Sequence, residues 1–406
     1  MEWDPQYKPR LRPVEAVPVR DANDAGGVAI ALRDPSRLSQ VAITLSPAAL
    51  QILALMDGRQ SCVQIQDRFL EDCGQPLSQH TLRQILDGLD QARMLEGPSF
   101  EAHYDRRLQE YRSRNLRPMP HAAQLGLPDG SGALFRDILR GNGLAAPSGR
   151  ITGLIAPHLD YARGRPCYAR AYGALRERPA PDRVVVLGTN HFGRSTSVVA
   201  TACDFGTPLG VTRTDRRFLE QLERRCGDLR RFELDHLHEH SIELQVAWVQ
   251  HLFGPDRFEL VAFLCPDPCG PTGTSPVDGN GVDLREFADA LGELLSGDPA
   301  DTLVVAGADL SHVGAAFGDD RTLDCGFLEE VRGIDRRALD CLAANDADAF
   351  VRTLADANNV TRVCSAGCIF TLATALSGAT ATVLGYHQAV DQATRTCVTC
   401  SAVAYT

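Results

Sequence analysis

The chain has 406 residues, 44% hydrophobic and 23% charged, an ordinary globular composition with room for two domains. Its net charge of -11 argues against non-specific nucleic-acid binding, which needs a basic surface to displace counterions. The opening MEWDPQYKPR has no apolar run and no small-residue cleavage site, so no export signal is read and a cytoplasmic protein is expected.

Residues 1–100 read as a separate small α+β domain of winged-helix-like build. VEAVPVRD, GVAIALRD and QVAITLS predict three short strands. SPAALQILALMDG, SCVQIQDRFLED and SQHTLRQILDGLDQARML predict three helices, with Ser46 and Ser78 as N-caps and Gly58 where a C-cap belongs. Leu82, Ile85, Leu86 and Leu89 have the spacing of a buried helical face. The stretch from Leu45 to Leu95 resembles the PqqD-like domains that hold leader peptides for radical-SAM enzymes, which implies a peptide or a radical-SAM protein as partner. Residues 101–117, EAHYDRRLQEYRSRNLR, predict a charged helical connector, and a Pro/Gly-bearing stretch follows up to Arg150.

Residues 118–406 read as a second, α/β domain: from Ile151 onward apolar strands alternate with helices, the pattern of a mostly parallel sheet flanked by helices. The predicted strands are ITGLIA, RVVVLG, FELVAFL, TLVVAGAD, TATVLGY and VTCSAVAYT. Between them the helices are CYARAYGALRE, RRFLEQLERR, EHSIELQVAWVQHLF, LREFADALGELLSG and CSAGCIFTLATALSG. The uncharged run from Val363 to Tyr386 is broken at Ser377-Gly378, so a buried helix, a turn and a strand are expected there instead of a membrane span.

Three of the strands run out into histidines: His158 after GLIAP, His191 in TNHFG and His312 in ADLSH. A parallel sheet brings such strand ends together over one cleft, where ligands bind. Asp309 and Ser311 place a carboxylate and a hydroxyl beside His312, while Gly188 and Gly193 permit a tight bend around His191. In DHLHEHSIE, His240 sits at a helix entrance with Glu243 three residues on to orient it; His236 and His238 read as solvated loop residues. There is no phosphate loop, no GxGxxG after a strand and no GxSxG elbow. The thirteen cysteines read mostly as reduced, buried small hydrophobes. Cys364/Cys368 with Cys397/Cys400 would make a four-thiolate zinc site only if the second pair, on a predicted strand, lay in a turn.

LIAPHLDYARGRPCYARAYGAL, RVVVLGTNHFG, TPLG, EHSIELQ, TLVVAGADLSH and RVCSAGCIFTLATAL occur in the order and spacing of the Memo family, whose bacterial and archaeal members are called AmmeMemoRadiSam system protein B. The resemblance runs from about Pro120 to the end and implies a fold similar to the LigB-type extradiol dioxygenases. It implies His158, His191 and Cys364 as metal ligands, and His240, Asp309, His312 and Tyr161 as further site residues. Asp160 stands where glycine is common in the family and offers an extra carboxylate; Cys368 stands where proline is common. Two imidazoles and a thiolate suit iron, with copper or zinc as alternatives. The implied activity is iron-dependent redox chemistry on an unknown small molecule or peptide. The alternative is a non-catalytic metal-binding accessory or scaffold protein working with a radical-SAM partner. No nucleic-acid or membrane partner is expected.

Overall fold

The computed structural model describes residues 3–20, 27–127, 130, 132–140 and 147–406, so parts of the Pro/Gly-bearing stretch lie outside the described residues. The chain divides into two compact units, Met1–Ser113 and Arg114–Thr406.

In the first unit, β1 (Glu15–Arg20), β2 (Val28–Arg33) and β3 (Ile43–Leu45) form an antiparallel sheet in that order. Four helices follow: α1 (Ala49–Ala54), α2 (Cys62–Cys73), α3 (Gln79–Gln91) and α4 (Pro98–Arg114). Leu82, Leu86 and Leu89 enter a core with Leu32, Ile52, Ile65 and Met94, while Ile85 is only half-buried at its edge. Ser78 caps α3 by accepting the Thr81 N–H, and Ser61 and Gln64 close a capping box on α2. Ser46 caps nothing, because α1 starts later, with Ala48 at its N-cap and no side-chain bond there. Gly58 is likewise not the C-cap of α1, which is Leu55. It takes φ +81° in the turn beyond, where its N–H donates to the Pro9 carbonyl. Most of the expected connector, up to Arg114, lies in α4, whose Phe100, Tyr104 and Tyr111 are buried; its last residues, Leu116 and Arg117, belong to the short strand that follows. The Arg12 guanidinium lies 3.7 Å from the Phe100 ring centre and is paired with Asp34.

The second unit opens with β4 (Leu116–Pro118), α5 (Ala133–Leu139), β5 (Gly153–Ala156), α6 (Arg165–Gly173) and β6 (Arg183–Thr189). Then come β7 (Val199–Thr201), β8 (Asp204–Thr207), β9 (Gly210–Thr212), α7 (Arg216–Cys226), α8 (His240–Phe253), β10 (Glu259–Cys265) and α9 (Leu284–Gly297). The chain ends with β11 (Thr302–Gly307), β12 (Asp309–Gly314), α10 (Cys325–Ala343), α11 (Ala347–Asp356), α12 (Ala366–Ala375), β13 (Ala381–Asp391) and β14 (Thr396–Tyr405). The main sheet has the order β12-β14-β5-β11-β6-β10-β7, with β13 also on β14, and β4-β8-β9 form a small separate sheet.

The four central strands β5, β11, β6 and β10 are parallel. Their side chains alternate between two cores: Val185, Leu187, Val304 and Ala306 on one face, Val184, Val186, Leu303 and Val305 on the other. That two-sided burial is why these strands read as unbroken apolar runs. The flanks are antiparallel, so the sheet is mixed around a parallel centre. ADLSH is a strand of its own and not a strand end: β12 runs antiparallel to β14, with a register shift between Asp309 and His312. Helices α10 and α11 were not among the predicted elements. The Val363–Tyr386 run does form a helix, a turn and a strand, and no described helix is long and apolar enough to cross a membrane.

Both cores of the second unit are built from its own residues. Residues 114–406 expressed alone are therefore expected to unfold in one cooperative thermal transition, followed by circular dichroism. An aggregated or non-cooperative product would contradict this.

Candidate metal centre

His158 and His191 follow the carboxyl ends of β5 and β6, and Cys364 lies two residues before α12. One ligand atom from each lies within 4.8 Å of the other two. The Cys364 sulfur is 3.5 Å from His158 Nε2. A tetrahedral ion with bonds of about 2.0–2.3 Å keeps its ligands roughly 3.3–3.8 Å apart, a spacing the Cys364–His158 pair already has.

Each imidazole is fixed through its other nitrogen. His158 Nδ1 donates to the Gly307 carbonyl at 3.0 Å, which directs Nε2 to the centre. The His158 N–H donates to Asp309 Oδ1 at 3.1 Å, and Asp309 takes its own N–H bond to Ser365. His191 Nδ1 faces both oxygens of Glu239 at 3.0 and 3.1 Å, and its main-chain N–H donates to the same carboxylate. A carboxylate or carbonyl on the outer nitrogen is the usual support of a metal-binding histidine.

Glu239 reaches His191 because α8 comes unusually close to the strand ends. A Cβ on Gly188 would lie 2.5 Å from Ser241 Oγ, and one on Gly307 would collide with the Ser241 carbonyl. Glycine at these two positions is required by the approach, not by a bend around His191. Glu239 is the N-cap of α8 and also accepts the Ser241 N–H. His191, Glu239 and His240 form a second close group. With its oxygens already taking up these N–H groups, Glu239 is read as orienting His191.

The charges follow from burial and proximity. Burial pushes the Cys364 thiol up, but the imidazoles of His158 and His191 outweigh it and leave the group at about 6. For His191 burial works downward, and Glu239 with Cys364 overcomes it, so the ring holds a proton well above the ordinary histidine range. Burial raises Glu239, yet His191, His240 and the Ser241 N–H hold it well below the usual carboxylate range. The lowered thiol and the raised imidazole together favour a thiolate beside an imidazolium near neutral pH. His240 stacks on His191 with ring centres 5.0 Å apart, and burial lowers it to about 3, so it is neutral at pH 7. Asp309 is raised by burial to about 6.

His240 and Asp309 border the centre. His312 lies within β12, with Nδ1 donating to the Leu310 carbonyl and its ring edge-on to Phe317, and it interacts electrostatically with Asp309 and His191. Burial lowers its pKa. Tyr161 stands in the aromatic core with Phe135, Tyr168 and Trp248, and its hydroxyl donates to the Leu244 carbonyl at 3.0 Å. Glu243 does not orient His240; it binds Arg117 and His121, and Glu239 is the carboxylate beside His240. His236 is buried, not solvated, with Nε2 donating to the Val199 carbonyl. Asp160 is turned to Arg163. Cys368 is buried, with its sulfur on the Gly307 and Ser365 carbonyls, and Cys397 and Cys400 lie in β14, so the four cysteines do not form a close group among the described residues. Sequence reasoning missed Glu239; the available signal was a carboxylate at an N-cap immediately before His240.

Residues 134–406 match the family model described as Memo-like protein. A MEMO1 family protein of Aquifex aeolicus is 26% identical over 357 residues, 88% of this chain and 87% of that one. A MEMO1 family protein of Methanopyrus kandleri is 33% identical over 165 residues, 40% of this chain and 53% of that protein, so the chain spans about half of its length. A solved structure of an uncharacterized Escherichia coli K12 protein, JW3007, aligns with 63% of this chain and 99% of its own at a TM-score of 0.33 and 13% identity, too low to carry an argument. The family-model match covers most of the second unit, and on it the chain belongs to the Memo-like family.

Proposed function

We propose that the chain is a metal-dependent redox protein, with iron held by His158 Nε2, His191 Nε2 and Cys364 Sγ and acting on a small molecule or peptide. The observation that carries this reading is the convergence of the three donors at the strand ends, each imidazole held through its outer nitrogen. Three protein ligands leave positions free, and iron there would supply a place for a small molecule to bind and exchange electrons. Copper is the alternative on affinity alone, and zinc the alternative without redox chemistry. The protein's own groups bind and orient. Asp309 holds the His158 main chain, Glu239 fixes His191, and His240 beside them, kept neutral by burial, would accept a hydrogen bond from a bound ligand.

Elemental analysis of protein purified without oxygen tests the ligand set. His158→Ala, His191→Ala and Cys364→Ala should each reduce bound iron or copper at least about tenfold, while Cys397→Ala, Cys400→Ala and His240→Gln should retain it. Equal metal content in all six variants would overturn the reading.

The charge state gives a second test. In metal-free protein, the alkylation by iodoacetamide that is lost in Cys364→Ser should rise with a midpoint near pH 6, and loaded metal should suppress it. Because protons compete for the thiolate and for His191, metal affinity should weaken as pH falls. It should do so first as His191 takes up its proton above the ordinary histidine range, and further through about pH 6 as the Cys364 thiolate is protonated. A midpoint at the ordinary thiol value would contradict the thiolate–imidazolium pair.

A further inference from the structure

Arg117, in β4, lies before residue 134, where the family-model match begins. It is 1% exposed, although its neighbours Leu116 and Pro118 are exposed. A buried guanidinium needs acceptors for its donors, and these are supplied almost entirely by the segment that carries Glu239. Nε donates to the His236 carbonyl at 3.0 Å and one NH2 group donates to the Glu239 carbonyl. The other donates to the Glu243 carboxylate and, at 2.9 Å, to the Pro118 carbonyl. The second Glu243 oxygen receives His121 Nδ1 at 2.8 Å. Glu239 and Glu243 thus project from the start of α8 in two roles. One carboxylate fixes His191 and touches His240; the other is anchored by Arg117 and His121.

We propose that Arg117 is a positioning residue of the metal centre. By clamping the main chain at His236 and Glu239, it sets where the Glu239 carboxylate meets His191 Nδ1, and so which way His191 Nε2 points. The segment matched by the family model is then not a complete site: residues 117–121 finish it from upstream. This rests on His158, His191 and Cys364 being the metal ligands.

The test is titration of the full-length protein with Co²⁺, reading both affinity and the thiolate-to-metal absorption band, with thermal stability measured on the same metal-free samples. Arg117→Met should weaken Co²⁺ binding by about tenfold or more and perturb the band, as loss of an outer partner does. Arg117→Lys should recover part of the affinity. Arg183→Met is the control for a merely structural arginine. Arg183 is a buried residue paired with Asp215 and Asp298 at the start of β6, the end opposite His191. It should lose stability while keeping Co²⁺ affinity within about twofold. Wild-type Co²⁺ binding by Arg117→Met, or equal loss of affinity in the two methionine variants, would overturn the proposal. Should Arg117→Met not fold, Glu243→Gln keeps the shape and removes the anchoring charge; it should weaken Co²⁺ severalfold, and an unchanged affinity would overturn the proposal. Cys364→Ser separates the two levels. If it binds Co²⁺ like wild type, the ligand assignment itself fails; if it loses Co²⁺ while Arg117→Met does not, only the role of Arg117 fails.

Discussion

A buried carboxylate against an imidazole, Glu239 on His191, is the interaction on which the arrangement of the site depends. Burying that carboxylate is costly unless it is paired and hydrogen-bonded. It accepts from His191 Nδ1, from the His191 N–H and from the Ser241 N–H, which places it at a helix N-terminus where negative charge is favoured. Removing one member of such a pair typically costs about 3–5 kcal/mol, because the other is left buried and unpaired. The glycines at positions 188 and 307 follow from this interaction, since any side chain there would push α8 off the strand ends.

The remaining charges are arranged around it. An imidazolium at His191 favours a thiolate at Cys364, and both states are those a metal ion would find and, by displacing the proton, complete. His240, stacked on the same ring, is kept neutral by burial. Cys265, Cys368 and Cys397, buried without cationic neighbours, are all pushed upward and remain thiols. Cys364 differs from these three by its position against two histidines, which lowers its thiol where burial alone would raise it.

What the sequence made legible follows the range of the forces involved. His158 and His191 could be placed at strand ends because two-sided burial makes parallel strands unbroken apolar runs, and such runs are visible locally. Cys364 was legible only by resemblance to a family, since a cysteine before a helix carries no signal of its own. His312 was read as following a strand end, whereas it lies within β12, because an edge strand with a polar sequence looks like the loop after β11. Tyr161 lies close in sequence to a ligand but faces the other core, a direction that spacing alone does not give. Glu243 and Glu239 both flank His240, and Arg117, which decides between their roles, comes from a segment that reads as a charged connector. Partners separated by more than a hundred positions leave no local pattern.

X-ray absorption spectroscopy of the zinc-loaded protein tests the central claim most directly, because it reads the donor atoms around the ion. The account predicts one sulfur at about 2.3 Å and two imidazole nitrogens at about 2.0–2.1 Å, with the sulfur lost in Cys364→Ser. A shell with no sulfur, or one with two or more, would contradict it.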